Sequence, residues 1–206
     1  MYHHRLVISY KGTSYFGWQD LGTSEQKPTV QASIHQILKK ICKYQSCTIS
    51  AASRTDSGVH AQGQVVKITI AIAIESGKLL LGMNSLLPDD IRVLQCEPCA
   101  AEFNSNKDSK SKEYHYYFCT DPIYNPVLND IVAHIPSTST ASATGTLDIE
   151  LMQRACKLFI GGHDFYNFAR RDANISSTFR TIISCEILQA EPSTFGNKIY
   201  YLKIVG

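Results

Sequence analysis

The stretch at residues 51–64, AASRTDSGVHAQGQ, places Arg54, Asp56, two glycines and a histidine in one short segment. Residues 47–52 before it and 64–74 after it are rich in apolar and β-branched side chains, which predicts a strand on either side. The Asp-Ser-Gly sequence within it is typical of a turn, because Asp and Ser hydrogen-bond locally and Gly tolerates a positive φ. The simplest interpretation of its charges is an exposed ion pair between Arg54 and Asp56.

The segments around this stretch predict alternating helices and strands in the first half of the chain. Thr29 is a good helix N-cap, and the apolar residues after it recur at helical spacing as far as Ile41. The predicted order is β-α-β-β-α-β, with the remaining segments at 5–10 (strand), 77–87 (helix) and 91–97 (strand).

A second half follows the polar residues 104–110 and is again mixed. Strands are predicted at 111–120, 178–190 and 198–205 and a helix at 148–160, while 137–146 (STSTASATGT) predicts a low-complexity loop. We therefore expect an α+β fold of two halves, 1–105 and 110–206, with mainly antiparallel mixed sheets flanked by helices.

Composition restricts the possible classes of protein only loosely. The formal net charge of +2 permits nucleic-acid binding without arguing for it. The seven cysteines are scattered, and Cys96 and Cys99 form a C-x-x-C pair with no second pair at zinc spacing, which favours reduced thiols in a cytosolic protein. We expect no signal peptide and no membrane span, since no stretch reaches about 18 apolar residues.

Two chemical interpretations compete for Asp56. The D-S-G sequence is that of an aspartic-protease half-site, but this chemistry needs two carboxylates that share a proton, and the chain has no second D-[ST]-G. The alternative is a carboxylate nucleophile that a neighbouring cation such as Arg54 keeps ionised, and that attacks an electron-poor carbon to form a covalent adduct.

The signature at 54–61, RTDSGVHA, resembles the R-T-D-[AS]-G-V-H-A sequence of TruA-type tRNA pseudouridine synthases. Further segments resemble motifs of the same family in the same order. They are G-x-x-x-x-G-W-Q at 12–19, T-V-Q at 29–31, N-x-x-L-P-D-D-I at 84–91, K-E-Y-H-Y at 112–116, G-H-D-F-x-x-F at 162–168 and R-x-I at 180–182.

The resemblance implies a fold, a reaction and a set of site residues. The fold would be that of pseudouridine synthases, with an active-site cleft between the two halves. The reaction would isomerise uridine to pseudouridine at positions 38–40 of the tRNA anticodon stem-loop, without metal or cofactor. Asp56 matches the nucleophile, Arg54 the arginine that holds the target nucleotide out of the stack, and Tyr114 the tyrosine that packs on the flipped base. Arg180 matches a substrate-binding arginine.

Two departures from the family pattern bear on the function. Residues 103–106 read Phe-Asn-Ser-Asn where the family has F-H-A-R, which removes a possible phosphate contact. The family continues into G-x-G-F-L-x-x-M-V-R, a motif expected to follow residue 206, so the second half is interpreted as truncated. Three classes therefore stay open: an RNA-modifying enzyme, an RNA-binding protein of the same fold without catalysis, and an unrelated α+β protein.

The resemblance also implies partners and a location. The family acts on tRNA as a homodimer in which one RNA spans both subunits, and we expect the same here. A cytoplasmic location agrees with the cysteine content and with tRNA as the partner.

Overall fold

The computed structural model describes residues 1–19, 28–135, 147–169, 177–191 and 196–206. The chain divides into two compact units, Met1–Ser109 and Lys110–Gly206. Both contain antiparallel sheets with a few helices, which confirms the predicted α+β class. The predicted low-complexity loop at 137–146 lies outside the described residues.

The first unit is built on a four-stranded antiparallel sheet with the strand order β2-β3-β1-β4. Its elements follow the predicted β-α-β-β-α-β order. Their bounds are β1 Tyr2–Tyr10, α1 Val30–Ile41, β2 Cys47–Ala51, β3 Ala61–Ile70, α2 Ser76–Leu86 and β4 Ile91–Pro98.

Helix α1 begins where the sequence predicts. The Thr29 hydroxyl accepts a hydrogen bond from the Ala32 amide at 3.2 Å, which satisfies one of the free N–H groups of the first turn. Val30, Ile34 and Leu38 of α1 are then buried in the core, as are Leu79 and Met83 of α2. Both helices and alternate residues of three strands form one core: Leu6, Ile8, Val30, Ile34, Leu38, Val66, Ile68, Ile70, Leu79, Met83 and Ile91.

The described residues of the second unit form two separate sheets. A four-stranded sheet has the order β6-β5-β10-β9, with β5 and β6 parallel and the other pairs antiparallel, and β7 pairs with β8. Its elements are β5 Glu113–Cys119, β6 Ala133–His134, α3 Ile149–Cys156, β7 Gly161–Asp164, β8 Phe179–Ile182, β9 Ser184–Gln189 and β10 Ile199–Val205. Phe118 and Ile187 are buried beneath α3, and Cys119 is buried on the opposite face of β5.

Several predicted elements have different bounds. The strand at 64–74 starts earlier and stops at Ile70, because its pairing with both neighbouring strands ends there. The strand at 178–190 is two strands, since β8 pairs with β7 and β9 pairs with β10. Between them, Ile183 donates its amide to the Val205 carbonyl oxygen at 2.7 Å.

Candidate active site

The Asp56 segment forms a tight turn between β2 and β3. The Val59 amide donates to the Asp56 carbonyl oxygen at 3.2 Å, which closes a four-residue turn. Gly58 occupies the third position of this turn with a φ of +81°, a conformation that side chains of L-residues rarely adopt. The predicted turn is confirmed, and the glycine is needed there for its backbone rather than for space, because a Cβ atom would meet nothing within 4 Å.

Residues in the segment before the turn alternate between half-buried and exposed. Gln64, which is buried, donates its side-chain amide to the Ser53 carbonyl oxygen at 2.7 Å. The Thr55 hydroxyl lies 2.9 Å from the Tyr10 hydroxyl, and Thr55 is half-buried. Arg54, which lies between Ser53 and Thr55, and Asp56, which follows Thr55, are exposed. The fold therefore grips residues 53 and 55 and presents the guanidinium and the carboxylate to solvent.

The loop at 11–19 supports the turn from the other side through its backbone. Trp18 donates its amide to the Thr55 carbonyl oxygen at 3.0 Å, and Gly58 donates to the Tyr15 carbonyl oxygen at 3.3 Å. A Cβ atom at Gly17 would lie 2.6 Å from the Thr55 carbonyl oxygen, and one at Gly12 would overlap the Val59 carbonyl. The two glycines of the loop are thus explained by close contact with the Asp56 segment.

Aromatic residues of this loop divide between packing and exposure. Tyr15 and Trp18 are buried, whereas Phe16 is 59% exposed. The Tyr15 hydroxyl donates to the Asp90 carboxylate at 2.6 Å, and burial raises the pKa of Tyr15 well above its usual range. Because the hydroxyl stays protonated, this bond ties the loop to the turn that precedes β4.

Two further motif residues have structural contacts. The Gly12 amide donates to Nδ1 of His60 at 3.0 Å, so this ring nitrogen carries no proton. The Asn84 side chain bonds both backbone groups of Val93 at 2.8 Å, which fixes α2 to β4. These contacts hold the scaffold around the turn.

The prediction of an exposed ion pair between Arg54 and Asp56 is wrong. Among the described residues, neither Arg54 nor Asp56 makes a side-chain hydrogen bond or an ion pair. Side chains two residues apart on an extended segment point to the same side without being forced into contact. Within the described residues both charged groups are therefore unpaired and exposed.

Tyr114 lies near the start of β5 and pairs in register with Ile204 of β10. Its side chain is 57% exposed, and in the described part of the chain its hydroxyl has no hydrogen-bond partner. Tyr116 and Phe118 follow on the same face of the strand, and Phe118 is buried in the core of the second unit. The core thus anchors the strand that exposes the Tyr114 ring.

Arg180 lies on β8, opposite His163 of β7, and is exposed. Its Nη1 donates to the carbonyl oxygens of Ser177 at 2.9 Å and Phe179 at 2.7 Å. Within the described residues its Nε and Nη2 bond nothing, so donors remain for a ligand.

The predicted site residues therefore come from two units. Arg54 and Asp56 lie on the segment that connects β2 and β3 in the first unit, and Tyr114 and Arg180 lie on different sheets of the second unit. Sequence reasoning missed Tyr10 and Gln64, which hold the Asp56 segment from below. Strand β3 also contains Gln62, Lys67 and Thr69, so the sequence alone did not single out Gln64 as the buried amide that needs a hydrogen-bond partner.

His163 and Asp164 lie on strand β7. The Asp164 carboxylate accepts from the Tyr166 amide at 3.0 Å, and His163 Nε2 donates to the Ile160 carbonyl oxygen at 3.0 Å. Over the described ranges, no group of three or more His, Cys, Asp or Glu side chains could hold a metal ion.

The second unit contains an apolar cavity of about 370 Å³. Its lining consists of aliphatic, aromatic and sulfur-containing side chains, among them Met152, Phe159, Phe165 and Leu202. A nucleotide site needs polar groups that fix the orientation of the ligand, so this cavity is not the candidate site.

No described helix is long and apolar enough to span a bilayer.

Comparison with known proteins places the chain among enzymes that modify tRNA. The family described as tRNA pseudouridine synthase matches residues 6–104. A relative from Desulfotalea psychrophila, "tRNA pseudouridine synthase A 2", is 50% identical over 209 residues, covering 100% of this chain and 78% of the relative. "tRNA pseudouridine synthase A" of Methylacidiphilum infernorum is 32% identical, covering 94% and 72%. "tRNA pseudouridine synthase A 2" of Clostridium tetani is 33% identical, covering 90% and 71%.

Proposed function

The chain belongs to the tRNA pseudouridine synthase family, and from this we propose that it isomerises uridine in the tRNA anticodon stem-loop with Asp56 as the nucleophile. Members of the family are isomerases, and the relatives at 50% and 32% identity are named for pseudouridine formation in tRNA. The anticodon stem-loop, at positions 38–40, rests on the resemblance of the motifs.

One observation carries the assignment of Asp56. Among the described residues its carboxylate is exposed and makes no hydrogen bond or ion pair, and the turn is held by the backbone of the loop at 11–19 and by the side chains of Tyr10 and Gln64. A nucleophile needs a free lone pair and a fixed position, because misplacing the reacting atoms by 1 Å can cost about a hundredfold in rate. The Asp56 turn meets both requirements.

The chemistry needs no second substrate. Isomerisation breaks the bond between N1 and the sugar carbon C1′ and joins C1′ to C5 of the same base. A proton leaves C5 and one is gained at N1, so atoms and electrons balance without an oxidant or a reductant. The role of Asp56 is to form a transient covalent bond to the nucleotide and then to leave.

The target base must leave the helical stack before Asp56 can reach it. Extruding a base costs a few kcal/mol. Stacking on an aromatic ring returns about 1–3 kcal/mol per base, and Tyr114 presents a ring that is 57% exposed. We assign Tyr114 to pack on the flipped base.

The two arginines are suited to different parts of the RNA. Arg54 is exposed two residues before Asp56, so its guanidinium can occupy the space that the flipped nucleotide vacates. Arg180 retains Nε and Nη2 as donors, which suit a phosphate oxygen of the backbone. Both contacts would hold the substrate rather than take part in bond making.

The assembly and location of the enzyme follow the resemblance. A homodimer in which one tRNA contacts both subunits is expected, and a substrate of this kind implies the cytoplasm. Light scattering with and without tRNA measures the stoichiometry, and one monomer per tRNA would contradict the dimer.

The test replaces Asp56 with asparagine, which keeps the shape but is no carboxylate nucleophile. Release of tritium from tRNA that carries [5-³H]uridine reports turnover, because the C5 proton is lost, and filter binding reports affinity. We expect turnover to vanish in Asp56→Asn while binding stays within about twofold. Asp89→Asn is the matched control, since Asp89 is another exposed aspartate of the same unit.

The outcomes separate the alternatives. Appreciable turnover by Asp56→Asn would remove Asp56 from the nucleophile role. Binding of tRNA by the unmodified chain without any tritium release would favour an RNA-binding protein of the same fold. Transcripts with a single uridine at position 38, 39 or 40 then identify the modified position.

A further inference from the structure

The segment that carries Asp56 has a rigid support directly beneath it. Tyr10 is the last residue of β1, which lies between β3 and β4 in the sheet, and its side chain is only 3% exposed. Its ring packs against Trp18 with the centroids 6.1 Å apart. A ring held between a central strand and a buried tryptophan has little freedom to move.

The polar end of this ring reaches the segment. The Tyr10 hydroxyl lies 2.9 Å from the Thr55 hydroxyl. Gln64 binds the Ser53 carbonyl oxygen. Burial raises the pKa of Tyr10, so the hydroxyl keeps its proton at all ordinary pH values.

These contacts hold Ser53 and Thr55, the residues on either side of Arg54. Ser53 and Thr55 are half-buried, whereas Arg54 and Asp56 are exposed, so holding residues 53 and 55 keeps the two charged side chains on the outer side. Rotation of the Thr55 backbone would turn the Asp56 carboxylate away from its position. The Trp18 amide restrains the Thr55 carbonyl, but the hydroxyl contact restrains its side chain.

We infer that Tyr10 is a positioning residue for Asp56, acting through the hydrogen bond between its hydroxyl and that of Thr55. The inference rests on the proposed role of Asp56 for its effect on rate. It makes a separate statement about order in the turn, which can be measured without any substrate.

The experiment compares Tyr10→Phe, Thr55→Val and the double variant with the unmodified protein. Each single change removes the same hydrogen bond, so we expect kcat to fall about tenfold in either single variant. In the double variant the fall should again be about tenfold rather than a hundredfold, because the bond can be lost only once. KM for tRNA should stay within about twofold, since the proposal gives neither hydroxyl a contact with the RNA. Thr55→Ser retains a hydroxyl and should restore most of kcat.

A matched control separates positioning from general loss of stability. Thr69 on β3 also places its hydroxyl 2.9 Å from another side chain, Nδ1 of His3. Thr69→Val should lower the melting temperature about as much as Thr55→Val and leave kcat unchanged. All assays are run well below the melting temperature of the least stable variant.

Amide hydrogen exchange decides the inference independently of activity. Exchange at Gly58 and Val59 should be several-fold faster in Tyr10→Phe and Thr55→Val than in the unmodified protein or Thr69→Val. Unchanged exchange at these amides overturns the inference, whether or not the chain forms pseudouridine. Unchanged kcat in a chain that does form pseudouridine overturns it as well. A chain that forms none overturns the proposed function, while the exchange rates still decide the positioning.

Discussion

Gly17 and Thr55 pack so closely that a methyl group on Gly17 would lie 2.6 Å from the Thr55 carbonyl oxygen. Gly17 also has a φ of +83°, a conformation that costs other residues about 1–2 kcal/mol. The loop at 11–19 and the Asp56 turn therefore fit together only because this position has no side chain.

Gly17→Ala should destabilise the first unit strongly and reduce turnover. The expected loss in free energy of unfolding combines backbone strain with an overpacking cost of about 1–3 kcal/mol. Urea unfolding followed by Trp18 fluorescence measures it, because Trp18 lies next to the substituted residue.

Gly58→Ala is the control for this change. Its φ is +81°, but a Cβ atom there meets nothing within 4 Å, so only the backbone strain remains. We expect it to cost about 1–2 kcal/mol. Equal costs for the two variants would show that the contact between Gly17 and Thr55 has no energetic weight.

Tyr114 should act through its ring. Tyr114→Leu removes the stacking surface and should abolish most turnover, while Tyr114→Phe should keep tRNA affinity. Turnover in Tyr114→Phe then reports whether the hydroxyl moves a proton. Tyr116 has the same 57% exposure on the same face and supplies the control, Tyr116→Leu. Full activity in Tyr114→Leu would contradict the stacking role.

Binding of tRNA should weaken steeply with salt, since phosphate contacts release counterions. Arg54→Ala and Arg180→Ala should each lower the slope of log K against log salt by about one. Arg92 is paired with Asp89 at 2.6 Å, so Arg92→Ala should leave the slope unchanged. A slope that is the same in all three variants would exclude both arginines from the RNA contact.

His4 should make the first unit less stable in acid. It is 4% exposed, and burial, with a smaller contribution from the charge of His3, lowers its pKa from 6.5. As pH falls below about 6.5, the unfolded chain takes up a proton that the folded chain refuses, so the free energy of unfolding decreases. The contribution of neutral His4 to the free energy of unfolding is fully present above pH 6.5. It is lost as the pH falls toward the lower pKa of His4 in the folded state.

Urea unfolding from pH 8 to 5 tests this prediction. His4→Gln should flatten the curve over this range, whereas His163→Gln, which replaces an exposed histidine of the second unit, should not. An unchanged slope in His4→Gln would show that another group is responsible for the acid sensitivity.

Local patterns in the sequence predicted much of this fold. The N-cap at Thr29 and the apolar spacing after it specify α1 by contacts within a few residues. The break at Ile183 was not predictable in this way, because it depends on which sheet each half of the segment joins. Pairing between distant strands has no signal in a single short segment.

In the candidate site, too, local features were predictable from the sequence and long-range contacts were not. The turn at Asp56 follows from its own residues, and the motif singled out Asp56 and Arg54. Their expected ion pair was wrong because pairing depends on orientation, which is set by contacts to Tyr10 and Gln64. Tyr10 is 45 residues from Thr55 in sequence, so this contact becomes visible only in the folded chain.

The alternation of held and exposed residues from 53 to 56 makes the length of this segment as important as its composition. Replacing an exposed side chain leaves the grip on residues 53 and 55 intact. Removing or adding one residue between 53 and 56 shifts the two-residue period by one step, so that a charged group would point into the contacts of Tyr10 and Gln64. The chain can therefore accept many substitutions here, but a single-residue deletion should eliminate the site even where the fold survives.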